Sequence, residues 1–304
     1  HMYLPSWYRD TEEEYWALTN DVVIWDVAVE RQVQIKGPDA FEFTNFITTK
    51  DLDKCKVKQC KYTLICDDKG GVINDPVLSR LDDDLFWLSL SDSDVLLWAK
   101  GLAYNSKWNV ELCEPDVAPM QVQGPKSKPL MVTLFGSEIE SLSYYHCMEA
   151  TLSGMEMLVT RTGYTGEIGY EIYLRNAYRD GVKLWNTMLE AGKPYNISPA
   201  GPSLIRRLEH GIRNYGQDVR LDNNPYEVGL GFAVDLNQGT DFVGNESLTQ
   251  IKKEGLKKKL VGIEFGTERM KGWNEDYWPV MESDKQIGQV TTAAYSPSLK
   301  KNIG

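Results

Sequence analysis

The chain has 304 residues, 42% hydrophobic and 25% charged, which excludes disordered, collagen-like and disulfide-scaffold classes. It is long enough for two ordinary domains that bury roughly three-quarters of their unfolded surface. Thirty-three Lys and Arg stand against 44 Asp and Glu, a formal net charge of −11. An acidic balance argues against a nucleic-acid partner, and no apolar run approaches the ~20 residues of a membrane span.

The five cysteines are an odd number without metal-like pairing, and His1 is one of only three histidines. Free thiols in a reducing, cytoplasmic setting and the absence of a metal are the expectation. His1-Met2 reads as a cloning scar or an internal cut. The stop at Asn302-Ile303-Gly304, without a cap or polar tail, is expected to mark a fragment.

In chain order, Thr11 and Glu14 form a capping-box pattern that opens a helix through Tyr15 and Leu18. Val22–Trp25 and Val33–Ile35 read as strands, the second ending at the Gly37-Pro38 turn. Ala40–Ile47, with three phenylalanines, reads as a helix. Tyr62–Cys66, a turn over Asp67–Gly71 and Val72–Leu81 make a hairpin, followed by a strand at Leu85–Leu90. Ser93 is placed to cap a helix with Leu97 and Trp98 on its apolar face. Glu114–Pro119 reads as a polar connector.

Further on, Met155–Thr160 and Tyr170–Leu174 are strands flanking the glycine-rich turn Thr162–Gly169. Val182, Trp185 and Leu189 fall on one face of a helix stopped by Gly192. Gly201-Pro202 opens another helix with Leu204, Ile205 and Leu208 on one side. After a linker at Asp222–Pro225, strand-like segments at Leu230–Val234, Leu260–Glu264 and Gln289–Thr292 predict a mostly β C-terminal unit. The whole reads as mixed α+β with two or three units and no internal repeat.

Three constellations carry chemistry. Asp75, just past the Gly70-Gly71 turn and near Tyr62, is either a partly buried general base or a turn aspartate capping its own backbone. Glu171 lies inside an apolar strand behind the Arg161–Glu167 stretch. If buried it needs donors, and its shape suits two parallel N–H groups such as those of a pterin; otherwise it sits on a solvent face. The glycine spacing there matches neither a dinucleotide fingerprint nor a phosphate loop. Arg206 and Arg207 either hold a carboxylate tail or pair with Glu209 and solvent.

These stretches together resemble the folate-dependent aminomethyltransferase family of the glycine cleavage T-protein. The matching segments are Trp25-Asp26-Val27, Gly37-Pro38-Asp39-Ala40, the Tyr62-to-Asp75 hairpin and Val122-Gln123-Gly124-Pro125-Lys126. Then come the Arg161-to-Glu171 stretch, Arg207-Leu208-Glu209, Pro225-Tyr226-Glu227-Val228-Gly229-Leu230 and Ser296-Pro297-Ser298-Leu299. Each is weak alone, but their order along the chain is that of the family. Where the T-protein has Ser-His-Met this chain has Ala28-Val29-Glu30-Arg31-Gln32, and its paired aspartates become Asn74-Asp75. Its folate-contacting arginine falls on Ser203, and Arg206 is the candidate replacement. The Val-Glu-Arg-Gln, Asn-Asp-Pro-Val and Ser91-to-Asp94 segments resemble the dimethylsulfoniopropionate demethylase branch.

The resemblance implies a multi-domain α+β cloverleaf. Residues 1–33 and 130–222 would form a folate-binding domain, residues 34–129 would complete the central pocket, and 223–304 would be an incomplete β-rich domain. It implies an enzyme moving a methyl group from a small sulfonium substrate to tetrahydrofolate, with Asp75 catalytic and Tyr62, Tyr164, Glu171 and Arg206 on the folate. Trp25 would face the sulfonium by cation–π attraction and Arg31 the substrate carboxylate, unless Arg31 pairs with Glu30 or another acid. A homo-oligomer is possible on this reading. The rival within the class is an aminomethyltransferase, which needs a lipoyl carrier protein, or an N- or O-demethylating relative. A rival of another class is a folate-binding regulatory or repair protein without transfer chemistry.

Overall fold

The structure is a computed structural model that describes residues 4–104 and 106–304; the His1-Met2 reading lies outside them. A six-stranded sheet runs in the order Cys147–Leu152, Met155–Thr160, Gly169–Arg175, Val117–Gln123, Val22–Asp26, Ile197–Pro199. All neighbours are antiparallel except Val22–Asp26 with Ile197–Pro199. The segment read as a connector thus already enters a central strand at Val117.

Period-2 alternation sorts this sheet's side chains. Val22, Ile24, Val122, Tyr170, Ile172 and Leu174 point to one face, where Leu130 and Met131 of helix Ser127–Phe135 and Leu184 and Met188 of helix Ala177–Gly192 complete a core. Their alternates, Trp25, Gln121, Glu171 and Tyr173, point to the other. The helix Ala177–Gly192 docks on the Leu184/Met188 stripe rather than the one expected. Val182 is 77% exposed, and Trp185 and Leu189 sit at the edge of the contact.

A five-stranded antiparallel sheet runs Cys60–Tyr62, Val77–Asp82, Leu85–Ser89, Gln32–Lys36, Glu111–Cys113. Helices Ala40–Ile47 and Val95–Ala103 cover Val33, Ile35, Leu78, Phe86 and Leu88 on one face. The second helix packs Trp98 against this core as expected, beside the buried Val95 and Ala99, but leaves Leu97 68% exposed, and Ser93 serves elsewhere. The uncovered faces of the two sheets meet through Cys60, Trp87, Cys147, Leu158 and Tyr173. The rings of Trp87 and Tyr173 lie 6.4 Å apart.

A third unit packs Val219, Val228, Leu230, Phe242 and Leu248 against Leu64, Cys66 and Val72 of the hairpin. The segment read as strand Leu230–Val234 is a turn of 3-10 helix at Gly231–Ala233. Beyond it lie a three-stranded sheet (Glu264–Phe265, Lys301–Ile303, Ala294–Ser296) and the exposed hairpin Trp278–Glu282/Lys285–Val290. The α+β class with a β C-terminal unit is as expected. No helix among the described residues is long and apolar enough to cross a membrane.

Asp10, not Thr11, caps the first helix: its side chain accepts from the amides of Glu12 and Glu13. Glu14 is freed from a capping role and is buried. It accepts from the Tyr8, Arg9 and Gly201 amides, tying the N-terminal segment to the loop at 200.

Candidate active site

The sheet faces left uncovered by helices, together with the third unit, enclose a cavity of about 1110 Å³. Its wall carries Trp25, Glu30, Arg31, Tyr62, Asp75 and Gln121, and also Tyr164, Glu171, Arg213 and Phe232. Six of the seven residues singled out by sequence therefore meet in one place: Trp25, Arg31, Tyr62, Asp75, Tyr164 and Glu171. The seventh, Arg206, does not line it.

Asp75 follows strand Val72–Asn74, and Pro76, which has no N–H to donate, separates it from strand Val77–Asp82. What reads as one strand from 72 to 81 is broken at this point, and the break turns the carboxylate into the cavity. Asp75 is 9% exposed. Tyr62 Oη donates to its Oδ2 at 2.9 Å and Ser91 Oγ to its Oδ1 at 2.5 Å. Burial raises its pKa to about 6, against the two donated hydrogen bonds. Burial, and then Asp75 itself, push the Tyr62 phenol far above its ordinary range, so Tyr62 remains a donor. Its ring stacks on Phe232 at 6.1 Å.

Asn74 is fully buried and clamps the neighbouring loop: Nδ2 donates to Ser91 O at 3.2 Å and Ser93 Oγ at 2.7 Å, and Oδ1 accepts from Ser91 N at 3.2 Å. An ionised aspartate could not make the two donations. The loop that accompanies Asn74-Asp75 in the resemblance is thus fastened to both residues.

Glu171 is 5% exposed, so the buried reading holds. Gln121 Nε2 donates to its Oε1 at 2.7 Å; Thr162 Oγ1 and Tyr173 Oη donate to its Oε2 at 2.5 and 2.8 Å. Burial nevertheless raises its pKa. The amide of Gln121 is turned so that its Oε1 is buried without a partner, and the buried indole Nε1 of Trp25 also lacks one.

The glycine-rich turn is shaped by Gln123. This buried amide donates towards Thr162 O and Tyr170 O and accepts from Thr165 Oγ1 at 3.0 Å. A Cβ on Gly163 or Gly169 would lie 2.2 Å from it. The turn brings Tyr164 to the cavity wall, where its hydroxyl reaches Arg213 O at 3.4 Å and burial raises its pKa.

Arg31 lines the cavity, but its guanidinium is shared between Glu114 at 3.0 Å and Asp94 at 3.6 Å, with Ser93 O at 3.3 Å. Its partners are these acids and not Glu30. Glu30 shares the cavity with Asp75 and Glu171, and its pKa is raised well above the usual range by burial, then by those two charges.

Arg206 is fastened to Glu209 and, at 2.6 Å, to Glu167, with its guanidinium 5.9 Å from the Tyr15 ring. The short helix Leu204–Glu209 points it back at its own i+3 neighbour, so pairing, not ligand contact, accounts for it. Arg207 is buried against Asp218 and Thr292 and binds this helix to the C-terminal unit. Gln121, Glu30, Arg213 and Phe232 were not singled out as site residues from sequence. Gln121 had a signal, a polar residue between Met120 and Val122 inside an apolar strand, and Glu30 lay in the segment that departs from the T-protein; Arg213 and Phe232 had none.

Comparison with known proteins places this geometry in a family. The chain matches the GCVT N-terminal domain over residues 1–238 and the glycine cleavage T-protein C-terminal barrel domain over residues 258–304. It is 36% identical over 303 residues to the dimethylsulfoniopropionate demethylase DmdA of Ruegeria pomeroyi, covering 100% of this chain and 82% of the relative. It is 34% identical over 307 residues to an aminomethyltransferase of Caldanaerobacter subterraneus, covering 99% of this chain and 80% of the relative. The aminomethyltransferase T structure from Bartonella henselae superposes with a TM-score of 0.87 at 21% identity. It covers 99% of this chain and 82% of that one, and it shows the shared fold. The chain belongs to the glycine cleavage T-protein family, a family of folate-dependent transferases.

Proposed function

We propose that the protein transfers a methyl group from dimethylsulfoniopropionate to tetrahydrofolate, giving 3-(methylthio)propanoate and 5-methyltetrahydrofolate. The observation that carries this reading is a single cavity in which three carboxylates, Glu30, Asp75 and Glu171, share space with the aromatic walls of Trp25, Tyr62 and Tyr164. A sulfonium placed among them offsets the burial cost and then the mutual repulsion that lift Glu30, and aromatic faces attract a desolvated cation. The Ruegeria relative, matched across the whole chain, supports the same donor.

The cavity also fits a reduced folate. The buried, unpartnered Oε1 of Gln121 beside Glu171 is an acceptor edge that adjacent N–H donors of a pterin would complete. Tetrahydrofolate supplies the nitrogen that receives the methyl group. Asp75, ionised above about pH 6, is the group on this chain able to take up the proton released there. Tyr62 and Ser91 hold its two oxygens in place, and Trp25 and Phe232 exclude water. Positive charge moves from sulfur to nitrogen without being created, so alignment and desolvation carry the rate rather than an oxyanion stabiliser. Asp75 is accordingly assigned the catalytic role and Glu171, Tyr62 and Tyr164 the folate contacts. Arg206, engaged with Glu167 and Glu209, is assigned none.

The second reading is aminomethyl transfer, favoured by aminomethyltransferase relatives of nearly equal identity; it would need a lipoyl carrier partner. The test is incubation with tetrahydrofolate and dimethylsulfoniopropionate, following both products by chromatography with mass detection. Formation of both, abolished in Asp75→Ala or Glu171→Ala, is expected. No product, from protein shown to bind folate, would redirect the search to amine and ether donors. Folate binding without transfer from any donor would support a non-catalytic folate-binding protein.

A further inference from the structure

Both ligands named above carry carboxylates, yet the cavity wall is lined by the acids Glu30, Asp75, Asp92, Asp94 and Glu171. A carboxylate entering such a space needs a cation, and two line it, Arg31 and Arg213. Arg31 is spent on Glu114 and Asp94. Arg213 has no carboxylate in ion-pair range among the described residues. Its guanidinium is instead gripped from behind by backbone: Nε donates to Val228 O at 2.9 Å and Nη1 to Gly211 O. Backbone carbonyls fix the fork without neutralising it, which leaves Nη2 as a charged donor with no protein partner and little rotamer entropy left to lose.

Two details show that the chain makes room for this fork. Gly229 adopts φ +73°, and a Cβ there would lie 2.5 Å from Nη2. Arg213 also sits near enough to Tyr62 for its charge to oppose the rise in that phenol's pKa, so the fork shares the side of the cavity that holds Asp75.

We propose that Arg213 is the carboxylate anchor of this cavity, gripping the carboxylate of a bound ligand through Nη2 and so selecting acids over neutral isosteres. The identity of the ligands rests on the methyl-transfer reading; the recognition of a carboxylate does not. The acid could be the propanoate of the donor or the glutamyl tail of the folate.

The test measures binding by calorimetry to two matched pairs, in wild type, Arg213→Met and Arg213→Lys. One pair is 3-(methylthio)propanoate against 3-(methylthio)propanamide; the other is tetrahydrofolate against its glutamyl diamide, in which both carboxylates are carboxamides. Wild type should prefer the acid of one pair by about ten- to a hundredfold, the worth of a charge-assisted contact. Arg213→Met should erase that preference, and Arg213→Lys, which keeps charge but not the fork, should recover part of it. The pair that loses its preference identifies the source of the carboxylate. A purely structural arginine would weaken both members of each pair alike, and undiminished preferences in Arg213→Met would overturn the proposal. Loss of the folate preference in a protein that transfers no methyl from any sulfonium would retain the anchor and reject the donor.

Discussion

Asp75→Asn separates the cost of burying a charge from its use. The carboxyl titrates at about 6 in the folded chain against 3.8 for an unperturbed aspartate. Between those values the folded chain binds a proton that the unfolded chain releases. Stability from this group is therefore fully present below the unfolded value and is lost as pH rises through about 6. At about 1.36 kcal/mol per unit, a difference of about 2 units costs the wild type about 3 kcal/mol at pH 7.5 and about 1 kcal/mol at pH 4.5. Asparagine resembles the protonated acid in shape and charge and can still accept from Tyr62 while donating to Ser91 Oγ. Urea unfolding midpoints across that pH range should therefore show the variant gaining an advantage that grows with pH. Methyl transfer should meanwhile fall about 100- to 10,000-fold, the worth of a general base. An advantage that does not change with pH, or none at pH 7.5, would refute the placement of a buried, strained carboxylate here.

Tyr62→Phe removes a donor to the ionised form of Asp75, so the acidic limb of the pH–rate profile should move upward by about half to one unit. Glu171→Gln should weaken folate binding about tenfold or more by reversing one acceptor into a donor. Arg206→Ala should leave folate affinity unchanged in the same titration, because that guanidinium serves Glu167 and Glu209. Gly163→Ala should cost about 1–3 kcal/mol in unfolding free energy, since its Cβ must displace the buried Gln123 amide.

Much of this was legible in the sequence where physics acts locally. Alternation along strand Gly169–Arg175 puts Glu171 and Tyr173 on the face opposite Tyr170, Ile172 and Leu174, but only the second sheet packed against that face makes Glu171 a buried acid needing donors. The order of weak motifs fixed the family, and the hairpin around Gly70-Gly71 led directly to Asp75. What was not legible depends on partners distant in sequence. Arg206 and Arg213 look alike on the page; one meets Glu167 and Glu209, while the other is held by the carbonyls of Gly211 and Val228 and left without an acid. Arg31 had Glu30 beside it, but both lie in the turn before strand Gln32–Lys36, where Glu30 faces Asp75 and Glu171 and Arg31 reaches Glu114. The helix Ala177–Gly192 carries two plausible apolar stripes, and only the position of the sheet decides that Leu184 and Met188 dock.

The most direct measurement is a single turnover with dimethylsulfoniopropionate carrying deuterated S-methyl groups, with tetrahydrofolate and enzyme in stoichiometric amounts, read by mass spectrometry. Methyl transfer as described predicts 5-methyltetrahydrofolate three mass units heavier, in step with the loss of labelled donor. Bound folate that stays unlabelled while the donor remains intact would contradict it.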